Sequence, residues 1–161
     1  MAQQDERSLR LLIHRYEKKI FALVLYLAGP DKDKAYEIAA GSFAEAIPLI
    51  TPLDDDKDIL SKIAGVALER CRHTVPVPFC DAPPVLNMPP EQRESLRMVT
   101  MALQALPVDS KALLLLRDQL HLPYRRISEI IKAPEDTTRV QITKARVDLR
   151  NKLEDQLAID G

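Results

Sequence analysis

Basic and polar side chains recur near the end of the sequence in a pattern that suits contact with nucleic acid. Between residues 137 and 153, five basic residues accompany one acidic residue, in a chain whose formal net charge is -1. Arg and Lys contact phosphates or guanine edges, and Gln contacts adenine. The simpler alternative is a basic stripe that is only a solvated helix face. The candidate DNA contacts are Arg139, Gln141, Thr143, Lys144 and Arg146, with Thr138 beside them and Arg125 and Arg126 on the preceding segment.

Two other groups of residues have side chains that could bind a metal ion. Cys71, His73 and Cys80 lack the paired short spacing of zinc ligands, so we expect a core cysteine and a linker cysteine instead. The acidic segment LDDDKD at 53–58 lacks the spacing and the glycine of a calcium-binding loop, which favours a solvated loop before a helix. No nucleophile motif or Gly-rich phosphate loop is present. We therefore predict no enzyme, no cofactor and no metal site.

The bulk composition fits one domain or two small ones in 161 residues. The hydrophobic fraction is 46%, but aromatic residues make up only 4% and Trp is absent, so the core should be aliphatic. The N-terminal MAQQDERSLR has no apolar signal-peptide region, and no apolar run reaches the roughly 18 residues of a membrane span. We expect a protein of the cytoplasm that does not enter a membrane and keeps its cysteines reduced.

Proline divides the chain into two parts that both show helical periodicity. The Pro-rich segment 75–92 cannot form a regular helix and predicts an extended linker between a domain at 1–74 and a domain at 93–161. Apolar residues on both sides recur at three- and four-residue spacing, without strand-like alternation of comparable length, so the fold class is all-α. The predicted helices cover 8–29, 33–47 and 56–73 before the linker, and 90–106, 108–122, 123–132 and 135–157 after it.

The ends of these helices are predicted from residues that favour caps. Ser8 should cap the first helix, which should stop at Gly29. Thr137 or Asp136 should cap the last helix, whose core face is predicted to carry Ile142, Ala145, Leu149 and Leu153. A short helix, a tight turn and a basic helix make helix-turn-helix geometry, in which the second helix enters the major groove. The turn KAPED lacks the glycine often found there.

The C-terminal part resembles region four of bacterial RNA polymerase sigma factors of the extracytoplasmic-function (ECF) group. The similarity runs from Leu103 to Leu153. The N-terminal part resembles region two of the same family more weakly. The matching segments are ALP, LLLLRD, ISEII, APEDT and KARVDLRNKL for region four, and LIHRYEKKIFALVLYLAG, KAYEIAAGSFAEAI and ILSKIAGVALERCRH for region two.

The resemblance implies a three-helix region-two bundle, a linker and a region-four helix-turn-helix. It also implies core RNA polymerase, promoter DNA and an anti-sigma factor as partners. By the same resemblance the second helix would bind polymerase and the third would lie toward the downstream promoter element. The residues implied are Glu37, Phe43 and Glu45 for polymerase, and Lys62, Arg70 and Arg72 for downstream DNA.

Region two departs from the family pattern in side chains and in charge. Of the polar set usual in the second helix only Glu37 remains, and Gly65 and Val66 stand near the place of an Arg-Asn pair. Residues 1–75 carry 11 basic and 12 acidic residues, whereas residues 101–157 carry 10 basic and 8 acidic. A domain that holds opening DNA is expected to be more positive, so we interpret region two as divergent.

Three functional hypotheses follow. The first is a sigma-factor-like initiation protein that binds core RNA polymerase and reads the upstream promoter element with its last helix. The second is a sigma-like interaction protein that binds an anti-sigma type of regulator or packs its two domains together, without initiating transcription. The third is a plain helix-turn-helix regulator whose N-terminal bundle forms a dimer. Polymerase binding discriminates between the first two, and the mass in solution tests the third.

Overall fold

The computed structural model describes residues 2–29, 31–73 and 90–160, and all regular secondary structure in these ranges is helical. The all-α prediction is therefore confirmed. Within the same ranges, no helix combines the length and hydropathy needed to cross a bilayer. The helices are α1 (Ala2–Ala28), α2 (Lys32–Ala46), α3 (Asp56–Arg72), α4 (Pro90–Gln104), α5 (Val108–Leu114), α6 (Tyr124–Ile131) and α7 (Glu135–Asp160), with a 3-10 turn at Ile47–Leu49 and a π-helical turn at Leu115–Gln119.

α1 ends where the sequence predicts but begins earlier. Gly29 has φ 107°, which a glycine adopts without a steric penalty, and its N–H donates to the Leu25 carbonyl at 3.1 Å. The predicted cap at Ser8 is wrong, because the helix already starts at Ala2. The segment AQQDER consists mainly of good helix formers and has acids near the N-terminus, where the helix dipole favours them.

α2 and α3 begin at aspartate caps. Asp31 accepts a hydrogen bond from the Lys34 N–H at 3.1 Å. At the start of α3, Asp55 and Asp58 form a reciprocal capping box, with N···O distances of 2.8 and 3.1 Å. The acidic loop therefore leads into a helix N-terminus, as its sequence predicts. α1, α2 and α3 pack together through Tyr16, Ile20, Leu23, Val24, Leu27, Ala35, Ala39, Phe43, Ala46, Leu60, Ile63, Ala67 and Cys71.

The leucine-rich helix predicted over 108–122 divides into two parts. α5 ends at Leu114 and the chain continues as a π-helical turn, in which the Leu120 N–H donates to the Leu115 carbonyl at 3.0 Å. His121 then has φ 56°, and Pro123 precedes α6. A proline at 123 cannot donate into a continuing helix, so the chain turns there instead.

α7 begins at Glu135, where the predicted helix begins, but two or three residues before the start that a cap at Asp136 or Thr137 implies. Its first residue is Glu135, and both the N–H and the Oγ1 of Thr138 donate to the Pro134 carbonyl, at 2.9 and 3.0 Å. The predicted cap at Asp136 or Thr137 is therefore wrong. The core face is as predicted at Ile142 and Ala145, which are buried, while Leu149 and Leu153 are half-buried.

Helices from the two halves of the chain share one hydrophobic cluster. It extends from the α1–α3 bundle through α5 and the π-helical turn to Ile127 of α6 and Ile142 of α7. α4 begins at Pro90, so the last residues of the predicted linker are helical, and 74–89 lies outside the described residues. The division into two domains around a linker stays a prediction, whereas the packing of the described helices on one another is observed.

Polar contacts accompany this shared cluster. Asp58 of α3 forms a half-buried ion pair with Arg126 of α6. The Lys57 ammonium donates to the Leu120 carbonyl at 3.4 Å. α6 also approaches α3 closely at a glycine, because a Cβ built on Gly65 would lie 3.6 Å from Cγ1 of Ile130.

Candidate nucleic-acid interface

The helix-turn-helix unit presents one side of α7 to solvent. α6 ends at Ile131 and is capped by Lys132, whose φ of 58° and ψ of 47° provide the left-handed turn that glycine often supplies. α7 then packs its buried face against α4, α5 and α6. Its first three turns leave Arg139, Val140, Gln141, Thr143 and Lys144 exposed. This is the end of the second helix that enters a major groove in helix-turn-helix proteins.

The candidate contacts on α7 do not all remain available. Thr138 has no solvent exposure, and its hydroxyl donates to the Pro134 carbonyl, so its side chain cannot reach a base. The prediction that Thr138 contacts DNA is therefore wrong. Thr143 is exposed, although its hydroxyl donates to the Arg139 carbonyl at 3.0 Å. Val140 is 68% exposed on the same side, so an apolar side chain lies among the polar candidates.

Arg139 is held by an aromatic ring and a carboxylate. Its Cζ lies 4.6 Å from the centroid of the Tyr124 ring, and its Nη2 donates to Glu135 at 3.1 Å. Arg117 lies over the same ring, with Cζ at 4.2 Å from the centroid, and its Nη1 donates to the Leu122 carbonyl at 2.9 Å. One tyrosine therefore contacts two guanidinium groups, from the π-helical turn and from α7.

Arg146 is held by a carboxylate from the π-helical turn. Its Nη2 and Nε donate to the two oxygens of Asp118 at 2.5 and 3.3 Å. The hydrogen bond with Asp118 raises the pKa of Arg146, and the nearby Tyr124 side chain acts in the same direction. Arg146 therefore carries a positive charge, but its guanidinium already donates to Asp118.

Gln141 and Lys144 lie on a different side of α7 from Arg139 and Arg146. They line a cavity of about 390 Å³ together with Asp109 of α5 and Asp148 of α7. Arg72, at the end of α3, also lines this cavity and pairs with Asp109 at 3.6 Å. The C-terminal end of α3 thus approaches two of the candidate base contacts.

The two arginines of α6 have different surroundings. Arg125 is exposed. Arg126 is only 22% exposed at its side chain and forms ion pairs with Asp58 and, at 3.1 Å, with Glu129. A phosphate contact by Arg126 therefore requires that α6 first separates from α3.

The three basic candidates for downstream DNA also have acidic partners. Lys62 donates to Asp54 at 2.5 Å and to the Leu49 carbonyl at 2.7 Å, and the hydrogen bond from Lys62 lowers the pKa of Asp54. Arg72 pairs with Glu69 at 3.6 Å in addition to Asp109.

Arg70 is a special case, because it pairs with a residue predicted to contact polymerase. Its Nε lies 3.0 Å from the Glu45 carboxylate. A Cβ built on Gly41 would lie 2.6 Å from Nη1 of Arg70, so the guanidinium lies across α2 where that helix has no side chain. A candidate DNA contact and a candidate polymerase contact thus engage one another.

The remaining polymerase candidates divide between surface and core. Glu37 is exposed on α2. Phe43 is only 4% exposed and belongs to the core of the bundle. Its edge lines an apolar groove of about 540 Å³ between α1 and α2, together with Phe21, Tyr36 and Ile47. This groove gives a partner access to the Phe43 side chain.

The residues considered for metal binding do not gather in the described part of the chain. Cys71 is buried in the bundle core, where burial raises the pKa of its thiol to about 11. Cys80 lies outside the described residues. Within 2–29, 31–73 and 90–160, no three His, Cys, Asp or Glu side chains are close enough together to hold a metal ion.

Two residues of the interface, Val140 and Tyr124, are not among the contacts that the sequence predicts. Val140 lies off the apolar stripe of α7, so helical periodicity alone assigns it to the exposed side. Tyr124 gives no such signal, because Arg117 and Arg139 are seven and fifteen residues away along the chain. Only the packing of the π-helical turn, α6 and α7 brings the three together.

Comparison with known proteins identifies the part of the chain that contains this surface. Residues 96–149 match the family model described as Sigma-70, region 4, which includes α5, α6, the turn and the first half of α7. No curated protein matches the chain. The resemblance of this segment to sigma region four is thus confirmed, and with it a sigma-like DNA-binding role in transcription for residues 96–149. Its assignment to the ECF group stays a prediction. The match spans about a third of the chain, so the resemblance of the first half to region two stays a prediction.

Proposed function

We propose that this protein is a sigma-factor-like initiation protein, which binds core RNA polymerase and reads promoter DNA with α7. The observation that carries the proposal is the coincidence of two features. Residues 96–149 match sigma region four, and the N-terminal half of α7 within that match exposes a basic and polar surface. A helix-turn-helix inserts this end of its second helix into the major groove.

The residues proposed to read bases are those exposed in the first turns of α7. Arg139 and Lys144 suit guanine edges, Gln141 suits adenine, and Thr143 can donate or accept. Val140 adds an apolar contact, which suits the methyl group of thymine. The proposed site is thus mixed in chemistry, with a thymine expected beside the base that Arg139 contacts.

The residues proposed to hold the phosphate backbone flank the reading surface. Arg125 is exposed at the start of α6, and Arg146 is exposed two turns after Arg139 on the same side of α7. Phosphate contacts fix orientation and register without specifying sequence. Arg126 joins this set only when it is released from Asp58.

The N-terminal helices are proposed to bind core polymerase as a divergent region two. Glu37 and Glu45 offer carboxylates on α2, and the α1–α2 groove offers the edge of Phe43. We assign the protein to the ECF type and to the cytoplasm, where polymerase acts, and propose an anti-sigma factor as its regulator. Lys62, Arg70 and Arg72 would reach downstream DNA after exchanging their carboxylate partners for phosphates.

The experiment that tests this function combines polymerase binding with transcription. Full-length protein is mixed with core RNA polymerase and a library of promoter fragments, and complexes and transcripts are measured. Initiation from a defined subset of promoters supports the proposal, and the subset gives the bases read by α7. Absence of polymerase binding overturns it and leaves region four as a DNA-binding module alone.

A second candidate function is a sigma-like interaction protein whose packed arrangement restrains α7. One observation favours it: α3 contacts α6 through the Asp58–Arg126 ion pair and through Gly65 against Ile130. In this arrangement Arg72 and Arg126 are engaged by carboxylates rather than free for DNA. A protein that stays packed would bind a regulator without initiating transcription.

Substitutions at Gly65 distinguish the two candidates. Gly65→Phe should separate α3 from α6, because its ring must occupy the space next to Ile130. Gly65→Ala is the matched control, since its Cβ would make only ordinary contact at 3.6 Å. If packing restrains α7, Gly65→Phe binds DNA more tightly than Gly65→Ala and is cut more readily between residues 74 and 89. Equal DNA binding by both variants argues against restraint.

A further inference from the structure

Tyr124 occupies an unusual position in the helix-turn-helix unit. It is the first residue of α6, and its half-buried side chain packs against the main hydrophobic cluster. The cluster fixes one side of the ring, and Arg117 lies over the ring with Cζ at 4.2 Å from the centroid. Arg117 is itself fixed by its hydrogen bond to the Leu122 carbonyl at 2.9 Å. The ring is therefore held in place before any partner arrives.

The fixed ring contacts the first exposed arginine of α7. Arg139 is 57% exposed at its side chain, yet its guanidinium lies 4.6 Å from the Tyr124 centroid. A free arginine on a helix surface samples many rotamers and loses that freedom when it binds. Contact with the ring and the hydrogen bond to Glu135 at 3.1 Å limit those rotamers in the unbound protein.

We propose that Tyr124 is a positioning residue, whose ring orients the Arg139 guanidinium for contact with a base in the major groove. This inference rests on the proposed DNA-reading function and extends it. The aromatic ring is the part of Tyr124 that orients Arg139, because the guanidinium groups of Arg117 and Arg139 both lie over the ring. The hydroxyl is secondary, although it lies close enough to Arg146 to favour that side chain's charge.

The DNA test uses the full chain and the duplex most enriched by it from a randomised pool. Tyr124→Leu, which keeps bulk but loses the ring, should weaken binding about threefold to fivefold, as expected for loss of an exposed cation–π contact. Tyr124→Phe, which keeps the ring, should bind within about twofold of the unsubstituted chain. Leu11→Ala is the control, because Leu11 is an exposed apolar side chain on α1 with no proposed contact to DNA or polymerase.

A double substitution shows whether Tyr124 acts through Arg139. Tyr124→Leu should cause no further loss when Arg139 is already Ala, because nothing is left for the ring to orient. If the two losses instead add, or if Tyr124→Phe binds as weakly as Tyr124→Leu, the positioning role is wrong. Thermal melts of each variant identify any that fail to fold.

A second measurement needs no DNA. In the NMR spectrum of the free protein, the ring current of Tyr124 should move the Nε–H proton resonance of Arg139 upfield of the position it has in an unstructured peptide. The shift should persist in Tyr124→Phe and disappear in Tyr124→Leu. An unshifted resonance in the unsubstituted chain overturns the positioning inference alone. Failure of that chain to bind any duplex overturns the proposed function instead.

Discussion

Arg139 and Arg146 lie on one helix but are restrained by different chemistry. Arg146 is paired with Asp118, so a phosphate must compete with a carboxylate for its donors. Arg139 lies against a neutral ring and one i,i+4 carboxylate, Glu135, whose pairing with an exposed arginine is weak. Arg139 therefore keeps more of its capacity for DNA. At the scale of single residues, the partner of each basic side chain decides its availability.

The thiol of Cys71 should be unreactive in the folded protein. Its pKa of about 11 lies above the ordinary value of 9.0, so at pH 8 only about one molecule in a thousand carries the reactive thiolate. In a Cys80→Ser background, which leaves Cys71 as the one thiol, labelling by iodoacetamide should be slow without urea and fast with it. Fast labelling of the folded chain would contradict the buried position.

The same thiol makes stability depend on alkaline pH. Because burial raises the pKa in the folded state, the folded state binds the proton more tightly than the unfolded state. This contribution is complete below the unfolded pKa near 9 and is lost as the pH rises through about 11. In Cys71→Ala the unfolding free energy should therefore fall less steeply between about pH 9 and pH 11. The same pH dependence in both proteins would show that Cys71 does not contribute to it.

The turn before α7 contains backbone strain that glycine would remove. Lys132 adopts a left-handed conformation, which costs a residue with a Cβ about 1 kcal/mol. Lys132→Gly should therefore raise the unfolding free energy by about 1 kcal/mol, or the melting temperature by ~2–4 °C. Lys132→Ala is the control, because it removes the charge but keeps the Cβ. Equal gains from both variants would assign the effect to charge.

At the scale of elements, α7 combines two functions in one helix. Ile142 and Ala145 fasten it to α4, α5 and α6, while the opposite side of the same turns is exposed. The π-helical turn also stabilises this arrangement. Its Arg117 contacts the Tyr124 ring, and its Asp118 pairs with Arg146 of α7. The reading surface is therefore held by side chains from two neighbouring elements as well as by its own helix.

Alanine substitutions on α7 should separate base contacts from phosphate contacts. Arg139→Ala and Lys144→Ala should each cost about 1–3 kcal/mol on the preferred duplex and relax specificity at one position. Arg146→Ala should weaken all sequences alike and reduce the salt slope by about one unit. Lys152→Ala, exposed in the second half of α7, serves as the basic control. If Arg139→Ala and Lys144→Ala leave promoter binding unchanged, α7 does not contact bases in the proposed way.

At the scale of the whole molecule, the packing between α3 and α6 determines which basic residues are free. The shared hydrophobic cluster joins the α1–α3 bundle to the helix-turn-helix unit, and the Asp58–Arg126 pair lies at this contact. Both side chains of the pair are largely buried, at 14% and 22% exposure. A break in this contact would release Arg126 and remove Arg72 from the neighbourhood of Lys144.

A double-mutant cycle should measure the strength of this contact. Asp58→Ala and Arg126→Ala should show a coupling of about 1 kcal/mol or more in the unfolding free energy, because a largely buried pair is poorly screened. The control pair is Arg15 with Asp56, separated by 2.6 Å but 62% and 58% exposed. Its coupling should stay below about 0.5 kcal/mol. Equal coupling in the two cycles would mean that α3 and α6 are not in stable contact in solution.

Local sequence patterns are sufficient to predict the helices and most of their buried faces. Periodicity depends only on residues close along the chain, which is why Ile142 and Ala145 were placed correctly and why α3 began where its aspartates predicted. Two predicted helix caps were wrong: Ser8 for α1, and Asp136 or Thr137 for α7. In the first, good helix formers extend the helix upstream, and in the second the Pro134 carbonyl accepts the first bond of α7.

Packing between distant segments determines which candidate residues are available for contact and what surrounds them. Thr138 and Arg126 appeared equivalent to their neighbours in the sequence, but packing buries the first and pairs the second with Asp58. The contact of Tyr124 with Arg117 and Arg139 likewise depends on the crossing of three elements. Availability is a property of contacts between segments distant along the chain. The local spacing of residues predicts their faces on a helix but does not specify those contacts.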